Sequence, residues 1–306
     1  HNKKDHSYRA GTAFKGTEKP DYSAGVSFPV CKTLRIDYPQ LKKLDSSYQA
    51  NNIQVLVFGN NGEVLKKFKD ERGVFFAEPQ FFEMFDFPLV AGNTKTVITE
   101  PNTALLSQAS AEKYFGTWQS AIGKTIKVGT KTIVKITGIL QNTQVNTDFP
   151  LKVVMSYSTL PNTAVKSNLD DWVTTASNAY TFVELPPAYS SAQFDASLGA
   201  FVKKHKPAEY VKDGLSVQPV SDMHYDDRFG NFNGRTFSRE LITALSLIGI
   251  FLLIIACVNF INLATAQAVN RSKEVGIRKV LGSSRKQLLW QFIGETGLIT
   301  FFAMIL

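Results

Sequence analysis

An α+β body over residues 1–238, followed by transmembrane α-helices, is the architecture this sequence predicts. Three observations carry it. Residues 241–270, LITALSLIGIFLLIIACVNFINLATAQAVN, hold no charged side chain. Residues 271–286 follow at once with six cations and one anion, a net charge of +5. Residues 1–238 mix short β-branched runs with stretches of helical spacing, and no run of membrane length interrupts them.

In chain order, the strand-like runs are NIQVLVFG (52–59), TIKVG (125–129), TIVKITGIL (132–140), LKVVMSY (151–157), AYTFVEL (179–185) and LSVQPV (215–220). Turn residues separate them, as in GNNGE at 59–63 and VGTKT at 128–132. Helical spacing is found in VCKTLRIDYPQLKKL (30–44), EPQFFEMFDF (78–87), QASAEKYFG (108–116) and SAQFDASLGAFVKKH (191–205). The two kinds do not alternate as regular βαβ units, which favours α+β over a parallel α/β sheet.

The 306 residues carry 44% hydrophobic and 20% charged side chains, ordinary values for a chain with a packed core. The net charge of +8 invites a nucleic-acid reading. With +5 confined to the connector and the remainder spread thinly, no nucleic-acid partner is expected. Cys31 and Cys257 are far apart in sequence and give neither a disulfide framework nor a metal-ligand spacing. The chain starts at His1 and stops inside an apolar run, so it reads as a piece of a longer protein.

Two motifs suggest chemistry and are set aside. Gly123-Lys124-Thr125 matches the tail of a phosphate-binding loop, but Trp118 stands where the loop needs its earlier glycine. VSDMHYDD gathers Asp222, His224, Asp226 and Asp227 without a second histidine or cysteine at ligand spacing, and His205 lies alone in KKHKP. A turn with solvated carboxylates is the expectation there. No serine elbow, supported Cys/His pair or paired carboxylates in an apolar frame is found, so the reading is not an enzyme, with no catalytic, cofactor or metal residues.

The uncharged run amounts to about 45 Å of helix, ample for a tilted span. Asn259 and Asn262 are one turn apart on it, and with Gly249 they suit packing against neighbouring helices. A Lys/Arg cluster directly after a span marks the cytoplasmic side, placing residues 1–238 outside the cell's interior. Within the connector, Glu274 and Arg278 are spaced i, i+4 in the favourable order, extending the helix past the bilayer. Gly282 permits the positive φ that ends it. Ser284 with Gln287 forms a Ser-x-x-Gln capping box that starts a short helix. Leu288, Leu289 and Trp290 give that helix an apolar side, while Arg285 and Lys286 stay wet. Such a helix can dock in a groove of a protein or lie on anionic lipid.

The connector RSKEVGIRKVLGSSRKQLLWQFIGE resembles that of FtsX-like permeases, the membrane subunits of MacB-type ABC transporters. FFEMFDFPLVAGN, SAEKYFG, AIGKTIKV, ITGIL and VQPVSDMHY are similar, in order, to blocks of that family's periplasmic core domain. The resemblance implies a porter-like α/β lobe with a small β-rich lobe inserted near 89–150. It implies a membrane helix at 241–270, a cytoplasmic coupling segment at 271–290 and a partial return helix at 291–306, in a multi-pass protein of a bacterial inner membrane. It assigns ATPase coupling to Glu274, Gly276, Arg278, Gly282, Ser283, Ser284, Arg285, Lys286, Leu288 and Leu289. ATP would be used by a separate ABC ATPase subunit or domain, with no cofactor in this chain. The further partners implied are a second permease subunit or repeat, a periplasmic or outer-membrane protein, and the bilayer. The implied function is transmission of ATPase-driven motion for export or extraction of a hydrophobic molecule, peptide or lipoprotein. The alternative is a periplasmic signalling module that regulates a cell-envelope enzyme. Transport should leave a cavity lined by apolar and aromatic residues, and signalling an exposed apolar patch.

Overall fold

The computed structural model describes residues 6–14, 21–59, 61–93, 96–144, 147–230, 232, 234 and 236–305, and the side chain of Asn270 is left aside. The chain divides into two compact units, His1–Arg239 and Glu240–Leu306.

In the first unit the strands are β1 Ser7–Phe14, β2 Asp21–Ser23, β3 Lys43–Ala50, β4 Ile53–Phe58, β5 Val64–Asp70, β6 Val74–Ala77, β7 Leu89–Ala91, β8 Thr103–Ser107, β9 Thr125–Val128, β10 Thr132–Leu140, β11 Val153–Ser156, β12 Ala179–Glu184 and β13 Gly214–Pro219. Its helices are α1 Pro29–Asp37, α2 Pro79–Met84, α3 Gln108–Phe115 and α4 Ser191–His205. The main path of the sheet runs β13-β1-β12-β3-β6-β11-β8-β10-β9-β4-β5, with β2 on β1 and β7 on β10. Among the described residues only β8–β10 and β6–β11 pair in parallel, so the α+β expectation holds. Strands β8–β10, from the region expected as an inserted lobe, share the sheet and pair through β9 with β4.

All six strand-like runs are strands, and α4 covers the expected stretch. Its Ser190 N-cap and Gln193 form a reciprocal capping box. Phe194, Leu198, Phe201 and Val202 are spaced to share one face and are buried with α1's Val30, Cys31 and Leu34. The helix expected over 30–44 is shorter than its pattern. It stops at Asp37, because Pro39 disfavours helical backbone at Tyr38, whose φ of −125° is already outside the helix. Lys43 and Leu44 then open β3.

Strand β3 had no readable pattern because Asp45, Ser46, Ser47 and Gln49 are all buried in it. Asp45 accepts hydrogen bonds from the Ser47 hydroxyl and from the Glu78 backbone N–H at 3.3 Å. Beside it, Arg35 donates to the Glu78 carboxylate. Burial, reinforced by the Glu78 charge, pushes the Asp45 carboxyl well above the usual range. A carboxyl raised in the folded state holds its proton there after the unfolded chain has lost it. Stability from this group is therefore greatest below about pH 3.9, the unfolded value, and falls as pH rises towards the folded one. Asp45→Asn should flatten the fall, so that the variant gains on the parent as pH rises. Urea midpoints measured from pH 4 to 8 check this, and parallel profiles would refute it.

A second core is aromatic, with Phe75, Phe81, Phe85, Phe149, Tyr180, Phe182 and Phe232 packed together. At the β5 end of the sheet, buried Asp70 accepts a 2.6 Å hydrogen bond from Tyr114 of α3 and faces Lys152 at 3.3 Å.

In the second unit, α5 is Arg239–Val280 and α6 is Arg285–Ile305. The 31-residue stretch Arg239–Val269 and the 21-residue α6 are each long and apolar enough to cross a membrane. The unit boundary falls one residue beyond the expected position.

Candidate functional site

The site is the hairpin where α5 turns into α6. Gly282 has φ +94°. Around it the Gly282 N–H donates to Lys279 O at 3.2 Å and the Ser283 N–H to Arg278 O at 3.0 Å. This pair of bonds is a Schellman closure, which only a residue at ease with positive φ permits at low cost. Two residues on, the Ser284 N–H donates to Gln287 Oε1 at 3.0 Å and the Gln287 N–H to Ser284 Oγ at 3.4 Å. A stop motif and a start motif therefore meet in four residues, which makes the turn tight.

Side chains clamp the two legs. Arg278 donates to Glu274 at 2.5 Å along α5 and to Gln291 at 2.8 Å on α6. Further from the turn, Arg271 pairs with Glu295 at 2.8 Å, and Gln291 donates to Glu295 at 3.2 Å. The antiparallel register sets Glu295 level with Arg271, the residue that ends the uncharged run. The polar part of the hairpin thus reaches at least to Glu295 on α6, beyond the residue-291 start read for the return helix.

The expected separate short helix at 283–290 does not form. Nothing between Leu288 and Phe292 stops a helix, and the Gln291–Glu295 bond bridges the next turn, so α6 runs unbroken to Ile305. The apolar side also divides. Leu288 is half-buried and lines a groove between the legs with Val275 and Phe292. Leu289 and Trp290 are exposed at 59% and 71%. Arg285 and Lys286 are exposed as expected.

Sequence reasoning missed the apolar stripe before the turn. Ile277, Val280 and Leu281 are exposed and spaced i, i+3, i+4, and with Gly276 and Lys273 they line a shallow depression. A Cβ added at Gly276 would meet nothing within 4 Å, so the glycine is not required by packing in this chain and leaves the depression open. The stripe was legible from its spacing, but Arg278 and Lys279 between its members hid it.

In the apolar part of α5, Gly249, Asn259 and Asn262 are exposed. The Ser246 and Thr265 hydroxyls donate to the carbonyls four residues back, at 2.8 and 2.7 Å, as hydrocarbon surroundings demand. Neither asparagine amide has a hydrogen-bond partner among the described residues.

In the motifs set aside earlier, polar groups have partners within the chain. The Gly123 N–H donates to Ile136 O at 2.8 Å, and Thr125 opens a strand, so no phosphate cradle forms. Asp222 pairs with Arg239 at 2.9 Å and Asp226 with Arg228 at 2.8 Å. His224 lies 3.4 Å from Asp148, and His205 is 2.7 Å from Asp37. Among the described residues no three His, Cys, Asp or Glu side chains are placed to hold a metal ion.

The comparisons with known proteins agree with this layout. The family model for the MacB-like periplasmic core domain matches residues 4–201, and that for the FtsX-like permease C-terminal region matches residues 246–306. The chain is 22% identical over 230 residues to the macrolide export ATP-binding/permease protein MacB of Pasteurella multocida, covering 72% of this chain and 31% of that protein. It is also 22% identical over 255 residues to the protein of that name in Acinetobacter baylyi, covering 82% and 33%. The chain therefore spans about a third of the length of the curated relatives it matches. A crystallised domain of a permease protein from Porphyromonas gingivalis superposes with a TM-score of 0.57 at 19% identity, over 74% of this chain and 93% of that one. The periplasmic region of MacB from Actinobacillus actinomycetemcomitans gives 0.46 at 16%, over 69% and 88%. With nearly two thirds of its length inside one family model and its helical unit inside the other, the chain belongs to the MacB-like periplasmic core domain family and continues into an FtsX-like permease segment.

Proposed function

We propose that this chain is the permease part of an ABC transporter, in which the α5–α6 hairpin receives the ATPase's motion and α5 carries it to the periplasmic unit. The observation that carries the reading is the hairpin tip. Its turn is closed by two interlocking motifs, its legs are clamped by Arg278 and Arg271, and Ile277, Val280, Leu281, Leu289 and Trp290 are exposed. Rigidity with an exposed apolar end is what a coupling element requires, since a hinge at the tip would absorb the push. Helix α5, at 42 residues, has no proline and would act as a strut about 63 Å long. Gly276 and the stripe beside it would accept a side chain of the ATPase, with Lys273 at the rim.

The cation cluster after the span supports the orientation proposed here, with the hairpin cytoplasmic, His1–Arg239 periplasmic and the protein crossing a bacterial inner membrane several times. The unpaired Asn259 and Asn262 amides favour a second permease subunit or repeat packed on α5, because an unsatisfied amide in hydrocarbon is costly. Between transport and signalling, a cleft of about 790 Å³ floored by Tyr48, Phe76 and Met155 favours transport of a hydrophobic molecule, peptide or lipoprotein. ATP is the fuel of the partner and needs no site in this chain.

Orientation is tested by introducing Lys131→Cys in the full-length protein. A membrane-impermeant maleimide should label it in spheroplasts, and labelling only after the inner membrane is permeabilised would overturn the topology. Coupling is tested by purifying the full-length protein from membranes. An ATP-binding-cassette subunit or domain should come with it, and a folded preparation free of any would sink the proposal.

A further inference from the structure

The same cleft has a chemical bias that hydrophobic transport does not require. Its floor is apolar: Tyr48 is half-buried, its ring 5.4 Å from Phe28 and 5.9 Å from Phe76, and Met155 is fully buried beside them. One wall is the β9–β10 turn with Lys131, and the opposite wall is the segment 161–166 with Lys166. Both lysines are exposed, and neither makes an ion pair among the described residues. Among the described residues none that lines the cleft is acidic. An apolar floor under two uncompensated cations suits a ligand with a greasy body and a negative end. At about 790 Å³ it is within the roughly 300–1,000 Å³ usual for small-molecule sites.

We propose that this cleft binds a single-chain amphiphile with an anionic head group. The chain lies on the partly exposed Tyr48 ring, Ile53 and Val165, where burial of apolar surface supplies most of the affinity. The head group sits at the mouth between Lys131 and Lys166, which supply the preference for a negative charge. The assignment is of binding, and it does not require that the bound molecule be the one carried.

The test uses the full-length protein in lipid nanodiscs at pH 8 with two photoreactive probes of the same chain length, diazirine palmitate and diazirine hexadecanol. Palmitate should label peptides containing residues 48–54 and 161–166, with labelling of α5 by probe dissolved in the bilayer as the internal reference. Lys131→Glu combined with Lys166→Glu, at exposed positions that folding does not need, should cut palmitate labelling of the cleft about tenfold against that reference. Hexadecanol labelling should change by less than about twofold, since two rim charges bear only on a charged head. Ala164→Trp, on the exposed wall, should reduce cleft labelling by both probes. Labelling confined to α5 and α6 overturns the proposal. So does cleft labelling that survives Ala164→Trp, or palmitate labelling indifferent to the charge reversals. None of these readouts involves an ATPase, so the site and the coupling reading can fail separately.

Discussion

Trp290→Ala in the full-length protein is expected, on the proposed coupling, to lower its affinity for an ABC ATPase by about 30-fold or more. A tryptophan at the centre of an interface commonly contributes at least about 2 kcal/mol, which is that factor. Trp290 is 71% exposed in this chain, so its removal should leave the hairpin folded and inserted. Arg285→Ala should cost about fivefold or less, because a rim charge is worth about 1 kcal/mol or below. Leu288→Asp is a poorer probe than its position beside Trp290 suggests. Leu288 lines the groove between the legs, so a carboxylate there would disturb the hairpin itself. The measurements are co-purification and the ATPase rate in nanodiscs. If Trp290→Ala leaves both unchanged, the tip is not a docking surface. The residue then serves as an interfacial anchor on lipid, and the same variant should show weakened contact with anionic membranes.

Phe149→Ala should destabilise the unit His1–Arg239 by about 3–5 kcal/mol. Phe149 is 7% exposed and lies between β10 and β11. Its ring centroid is 4.8 Å from Phe85, 5.3 Å from Phe81, 5.7 Å from Phe182, 5.7 Å from Phe232 and 5.9 Å from Phe87. Removing it opens a cavity between the Phe81–Phe87 stretch, Phe182 of β12 and Phe232, three segments that cannot all close in on it. A loss of this size is a large fraction of the roughly 5–15 kcal/mol that keeps a domain folded. Urea unfolding of residues 1–239, followed by circular dichroism, should show one cooperative transition for the parent and a much earlier midpoint for the variant. A midpoint shared by both would mean that the aromatic cluster does not hold the unit together.

Nothing local in NTDFPLKV announces that role for Phe149, and the contrast with the hairpin is instructive. The Gly282 stop and the Ser284–Gln287 start were readable because each motif closes its bonds within a few residues. The same holds for α4, whose capping box closes between Ser190 and Gln193. Strand β3 was illegible because several of its buried side chains are polar, and Asp45 among them takes a partner from elsewhere in the chain, the Glu78 backbone. Whether Leu288 or Leu289 faced inwards depended on the register of α6 against α5. That register is set by Arg278 to Gln291 and Arg271 to Glu295, pairs 13 and 24 residues apart.

By itself, then, the sequence determined the α+β class, the apolar span with its basic end, the turn at Gly282 and the family resemblance. These follow from periodicity, from local hydrogen bonds and from the cost of charge in hydrocarbon, all of which act over a few residues or one helix. The tertiary structure alone decided the order of the strands, the continuity of α6 past residue 290, the outward face of the tip and the cleft between Lys131 and Lys166. Each of these brings together residues far apart in the chain. Such contacts form only when packing outweighs the entropy of closing the loops between them, and no local pattern records which closure wins.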